Sequence, residues 1–174
     1  PRQSNRAIIP TIINQLNNSK TGKIKIGNIQ PFREFNYVED VCEAFISGLE
    51  APAPLINGKA FNVGIPNGNF TVREIAEAAK RAVPGSELVF TGEHTDPRSY
   101  RVSFRRILTD LKDYYNPKWD LEKGGVELVK FFESVNLTEE QFRGQETVRL
   151  KRLKQLAKIG MLSESFRMKN KLEI

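Results

Sequence analysis

The chain has one cysteine, one histidine and no apolar run near the ~20 residues that a membrane-crossing helix needs. The lone Cys42 excludes an internal disulfide and any cysteine-based zinc site. It is expected as a small apolar residue buried on a helix. The lone His94 excludes a histidine-rich metal site, and the carboxylates are too scattered to hold a metal by themselves, so no metal ligand is assigned. His94, Asp96 and Ser99 share one polar stretch, but such triples arise by chance in polar loops, and no catalytic triad is read from them. No strand-to-helix glycine loop of the G-x-G-x-x-G or P-loop type is present, which excludes those phosphate cradles from this sequence. Gly124 and Gly125 fall inside an expected helix and do not replace one. The N-terminus lacks a secretory pattern, because the apolar residues after Arg6 are interrupted at Pro10. A cytoplasmic location without a membrane partner is therefore expected, and the opening Pro-Arg-Gln-Ser reads like the middle of a longer chain.

What is present is an ordinary globular composition, 39% hydrophobic and 28% charged, over 174 residues. The net charge of +6 is uneven: residues 138–174 hold nine Lys/Arg and five Asp/Glu. A basic tail can meet nucleic acid or an acidic surface, but it is more often a solvated helix face, and this one lacks interleaved aromatics. Nucleic acid is not the expected partner.

The periodicities predict a mixed α/β chain in which short strands alternate with helices. Ile8, Ile9, Ile12, Ile13 and Leu16 form a helical stripe beginning near Pro10. Residues 23–27 alternate as a half-exposed strand, and residues 33–38 alternate with Phe35 and Tyr37 on one face. Glu39 and Asp40 open a helix with Val41, Ala44, Phe45, Gly48 and Leu49 on one side, stopped by residues 51–54. Residues 59–64 read as a strand, and Pro66 to Asn69 as a turn. Thr71 and Glu74 have capping-box spacing ahead of a helix that carries Ile75, Ala78, Ala79 and Ala82, and Pro84-Gly85 ends it. Residues 88–90 form a short strand. Ser103 is read as the cap of a helix through Ile107 and Leu111. A further helix is predicted over 121–135 with Val126, Val129, Phe131 and Phe132 as its apolar members. One long helix is predicted from Glu139 to about Ile159, closed by Gly160, with the remainder frayed.

Two loop arginines stand out as anion ligands, because a planar guanidinium fork matches two phosphate oxygens. These are Arg33, after Pro31-Phe32, and Arg98, after Pro97. On composition alone, solvation or pairing with a nearby acid such as Glu34 or Asp96 is the more ordinary fate for them.

Four segments, in order, resemble the blocks of extended short-chain dehydrogenases/reductases of the NAD-dependent nucleotide-sugar epimerase and dehydratase type. They are the opening PRQSNRAIIPTII, then IGNIQPFREFNYVEDV, then FNVGIPNGNFTVREIA, and finally DPRSYRVSFR with the later NPKWDLEKGGVEL. The resemblance covers residues 1–133. It implies the C-terminal, substrate-binding lobe of that fold over residues 1–136, followed by a basic helical tail over 137–174. The family's dinucleotide fingerprint and its catalytic Tyr-x-x-x-Lys both lie before the matched region. Tyr114 and Lys118 reproduce that spacing, but Pro117 keeps them off one helical face. The resemblance therefore implies no catalytic residue in this chain. It implies a nucleotide-diphosphate-sugar site with Arg33 and Arg98 on the diphosphate, Ile26 and Gly27 beside the base, and Asn62 as the asparagine of the F-N-V-G element. A strand-end backbone contact is an alternative role for Asn62. NAD(P) is implied for the parent enzyme, an oxidoreductase, isomerase or lyase, and not for this chain alone. The usual Asp after the first arginine is Glu34 here. With the cofactor half absent, Phe45, Ile46, Phe61 and Val63 are expected to miss part of their cover. This implies self-association or a companion chain supplying the Rossmann half. The alternative is a non-catalytic interaction module on the same scaffold, with the tail contacting a partner or nucleic acid.

Overall fold

A computed structural model describes residues 9, 12–13, 23–27, 29–92, 98–163 and 165–168. Its architecture is mixed α/β. Strand β1 (Lys23–Ile26) pairs in parallel with β4 (Glu87–Phe90), Ile26 opposite Phe90. Strand β2 (Phe32–Glu34) pairs antiparallel with β3 (Asn69–Thr71), Arg33 opposite Phe70. The helices are α1 (Val38–Glu50), α2 (Ala53–Ile56), α3 (Val72–Ala82), α4 (Arg105–Asp110), α5 (Leu121–Ser134), α6 (Glu139–Arg143) and α7 (Arg149–Lys158).

Helix α3 begins where its capping box predicts. Thr71 Oγ1 accepts from the Glu74 amide, and the Glu74 carboxylate accepts from the Thr71 amide. The Thr71 amide, and then the Thr71 hydroxyl that donates to the same carboxylate oxygen, hold the Glu74 carboxyl below its ordinary range. Ile75, Ala76 and Ala79 of α3 pack with Leu128, Val129 and Phe132 of α5, closed by Phe35, Tyr37 and Phe142. Gly124 on α5 has a packing reason: a Cβ there would sit 3.0 Å from the Phe35 ring. Ile12 and Ile13 are helical and buried in the same core, and Ile9, also helical, packs against it; Ile8 and Leu16 of the predicted stripe lie outside the described residues.

A second core joins Ala44 and Ala51 of the α1 region to Phe104, Ile107, Leu111 and Tyr115. Here the structure corrects several expectations. Residues 59–64 are not a strand, because no ladder partner lies beside them among the described residues. They form coil instead, with Phe61 and Val63 half-buried against the second core. Gly64 lies so close to the Phe104 ring that a Cβ would meet it at 2.4 Å. Ser103 does not cap α4: the N-cap is Phe104, without a side-chain bond, and the Ser103 carbonyl accepts from Asn62 instead. The alternation expected through Val38 is a strand only to Glu34, although Phe35 and Tyr37 do share the buried side.

The inward face of α1 also differs from expectation. Asp40, Ala44 and Ser47 point inward, while Cys42, Phe45, Ile46 and Leu49 are exposed. Asp40 accepts from the Lys118 and Trp119 amides, and Ser47 Oγ donates to the Tyr114 carbonyl; these bonds set the rotation of the helix. Cys42 is thus a surface residue, not a core one. On α5, Val126 faces outward rather than joining the apolar stripe.

The single long tail helix is two helices. Thr147 Oγ1 donates to the Gln141 carbonyl at 2.7 Å, taking an acceptor that a continuing helix would use. Thr138 caps α6 with Gln141 in a capping box. Gly160, at φ +75°, closes α7 with Met161 N donating to the Leu156 carbonyl and Gly160 N to the Ala157 carbonyl. Among the described residues no helix is long and apolar enough to cross a membrane.

Candidate functional site

Arg33 sits in the middle of β2, half-buried, where strand pairing holds its backbone. Its Nη1 donates to the Arg98 carbonyl at 2.6 Å and to the Phe32 carbonyl at 2.8 Å. Residues 98–101 run beside β2 on the edge away from β3. The Phe32 amide donates to Ser99 Oγ at 3.0 Å, and the Tyr100 amide donates to the Phe32 carbonyl at 3.1 Å. Arg33 also lies over the Tyr100 ring, 5.5 Å from its centroid, and Arg101 lies 3.8 Å over the Phe32 ring. The guanidinium groups of Arg33 and Arg101 thus lie beside two aromatic rings on one edge, and Arg98 joins that edge through its backbone carbonyl. Tyr100 and Arg101 were missed by sequence reasoning. The signal was there, since Arg-Ser-Tyr-Arg alternates like a strand and follows directly from Arg98.

The other candidates lie on other segments of the chain. Ile26 is the buried end of β1, its carbonyl accepting from the Thr91 amide at 2.9 Å, and Gly27 follows it. Ile26 belongs to the β1–β4 pair, not to the sheet that carries Arg33. Asn62 is exposed, and its Nδ2 donates to the Ser103 carbonyl at 3.2 Å. His94 and Asp96 lie outside the described residues. Tyr114 is in a turn and Lys118 in coil, so they do not share a helical face.

Behind the arginine edge, the Y-V-E-D and N-P-K-W segments are tied together. Tyr37 stacks on Trp119 at 3.8 Å between ring centroids, and its hydroxyl donates to Glu127 at 2.9 Å. Burial, then the bond to and charge of Glu127, push the Tyr37 phenol well above its ordinary value. Tyr115, buried and donating to the Gly64 carbonyl, is pushed up to about 12 by burial and by the charges of Asp40 and Glu43. Neither phenol is poised to give or take a proton near neutral pH.

The residues present do not fit a dinucleotide. The chain has no glycine-rich turn from strand to helix, and the exposed amide at the start of α3 is occupied by its own capping box. Among the described residues no group of three His, Cys, Asp or Glu could hold a metal. A guanidinium group on this edge has the chemistry to bind an anion.

These elements make up part of an extended short-chain dehydrogenase/reductase fold. The model of the NAD dependent epimerase/dehydratase family matches residues 1–64. Solved structures agree at the level of fold. RMD from Pseudomonas aeruginosa, complexed with NADPH, is similar with a TM-score of 0.61 at 21% identity, over 78% of this chain and 45% of that one. The UDP-glucuronic acid 4-epimerase of Bacillus cereus, in complex with UDP-glucuronic acid and NAD, gives a TM-score of 0.62 at 20% identity, over 78% of this chain and 42% of that one. The L-threonine dehydrogenase of Phytophthora infestans gives 0.57 at 17% identity, over 76% and 43%. The chain thus spans less than half the length of each.

Proposed function

We propose that this chain is the nucleotide-sugar-binding part of an NAD(P)-dependent epimerase or dehydratase, with the cofactor and the catalytic groups supplied by a Rossmann half outside it. The observation that carries this reading is the bond from Arg33 Nη1 to the Arg98 carbonyl, which brings arginines from two separate sequence blocks to one edge. Two guanidinium groups there can take opposite sides of a diphosphate, and the Tyr100 ring offers a flat surface beside them. Ile26 and Gly27 are the proposed neighbours of the base, and Asn62 a further contact to the ligand. The UDP-glucuronic acid held by the Bacillus cereus neighbour supports the choice of ligand. No catalytic residue is assigned.

The proposal extends to a companion. The exposed stripe of α1, with Phe45 at 72% and Leu49 at 86% exposure, is an apolar surface of the kind proteins cover. We place the Rossmann half there, from a companion chain, with self-association as the outcome when that half is absent.

A scaffold shared with L-threonine dehydrogenases does not by itself dictate a nucleotide ligand, so the test must. Calorimetric titration of UDP- and dTDP-sugars into the chain, and into Arg33→Ala and Arg98→Ala, provides it. Each substitution is expected to weaken binding about 10- to 100-fold, the range of a charge-assisted hydrogen bond. A folded chain that binds these ligands equally well without either arginine refutes the clamp.

A further inference from the structure

Helix α7 and the turn after it pose a separate problem. Five of the ten residues of α7 are Lys or Arg and none is acidic. Lys151, Lys154 and Lys158 stand exposed along one side, and Lys154 and Lys158 are four residues apart, where like charges repel. Arg149 places a further positive charge at the helix start, against the dipole. No residue of α7 is fully buried. The chain then turns back sharply, closed by the bridge between Leu162 and Met168. Phe166 sits in that turn at φ +58°, a left-handed conformation that bulky side chains rarely adopt, with its ring 60% exposed. Met161 and Met168 are exposed beside it. The unit therefore combines an excess of positive charge, in which the exposed Lys151 also donates to the Arg143 carbonyl, with large apolar side chains left in water.

We propose that α7 and this turn form a peripheral docking element for an anionic lipid surface. Lys151, Lys154 and Lys158 meet the headgroups, and Phe166 and Met168 enter the acyl boundary. The absence of a spanning helix is no objection, because an interfacial element lies along the membrane. A nucleic acid would satisfy the lysines but has no use for the exposed methionines. Each lysine near an anionic bilayer contributes attraction that salt screens, and the apolar residues add attraction that salt does not.

The test is flotation of the full chain with vesicles of phosphatidylcholine alone, or with roughly a third phosphatidylglycerol. Association is expected only with the anionic vesicles, and it should fall steeply between about 0.03 M and 0.5 M salt. Replacing Lys151, Lys154 and Lys158 together by Ala should lower partitioning about a hundredfold, while replacing all three by Arg should preserve it. Phe166→Ala should lower it about tenfold. Three results overturn the proposal: no association with anionic vesicles at low salt, equal association with neutral ones, or an Ala triple variant that binds like the parent. Binding of a single-stranded oligonucleotide by a chain that ignores vesicles would assign the lysines to nucleic acid instead.

Discussion

Asp40 is the most exacting point at which to test how this fold is held together. It is 3% exposed, and its two carboxylate oxygens accept from consecutive backbone amides, Lys118 at 2.8 Å and Trp119 at 3.1 Å. These bonds join the start of α1 to the segment that enters α5, and the Tyr37–Trp119 stack lies on the same junction. Asp40→Ala leaves two amides without partners, each costing about 1–3 kcal/mol where water does not reach. Release of a buried charge from its desolvation offsets part of that loss. The expected net destabilisation is about 2–4 kcal/mol, against a total stability of about 5–15 kcal/mol for a domain. Asp40→Asn keeps one acceptor and turns an NH2 toward the other amide, so it should cost less, about 1–2 kcal/mol. Trp119 is the only tryptophan and sits on the junction, so urea unfolding followed by its fluorescence reads the effect directly. The midpoint should fall in the order wild type, Asn, Ala, with an unchanged slope. An Ala variant within about 1 kcal/mol of wild type, or an Asn variant less stable than Ala, would refute the reasoning.

Two further outcomes follow from the packing. Tyr115 is 2% exposed with its phenol pushed up to about 12, against 10.0 ordinarily. The unfolded chain therefore loses that proton first as pH rises, so the stabilisation is complete below pH ~10 and is withdrawn between ~10 and ~12. The expected loss over that window is about 2–3 kcal/mol, and Tyr115→Phe, which has no proton to lose, should flatten the alkaline limb of a stability-against-pH curve. An unchanged limb would show that other groups control it. For the apolar stripe of α1, Phe45→Ser with Leu49→Ser should reduce binding of a hydrophobic dye and shift sedimentation toward the monomer, without lowering the melting temperature, because neither side chain is packed within the chain. A lower melting temperature would mean that the stripe is already covered.

How far the sequence could be read depended on the range of the interactions involved. Capping at Thr71 was legible because both partners of each bond lie within three residues. Strand β1 and the α5 stripe were legible because period alone identifies them. The orientation of α1 was not. An amphipathic pattern marks two faces, and contacts from 78 and 79 residues away, at Lys118 and Trp119, choose the inward one. The same limit explains residues 59–64, whose alternation needs a neighbouring strand before it can become one. The candidate site shows the limit most clearly. Arg33 and Arg98 could each be named from their blocks, but their adjacency depends on Ser99 and Tyr100 bonding along the free edge of β2. One partner of Arg33 is a backbone carbonyl 65 residues distant, an atom that no side-chain motif encodes. If the edge pairing of residues 98–101 is what builds the clamp, then Ser99→Ala, which removes the hydroxyl that accepts from Phe32, should weaken ligand binding without touching either arginine. A simple pair of independent cations would be indifferent to that change.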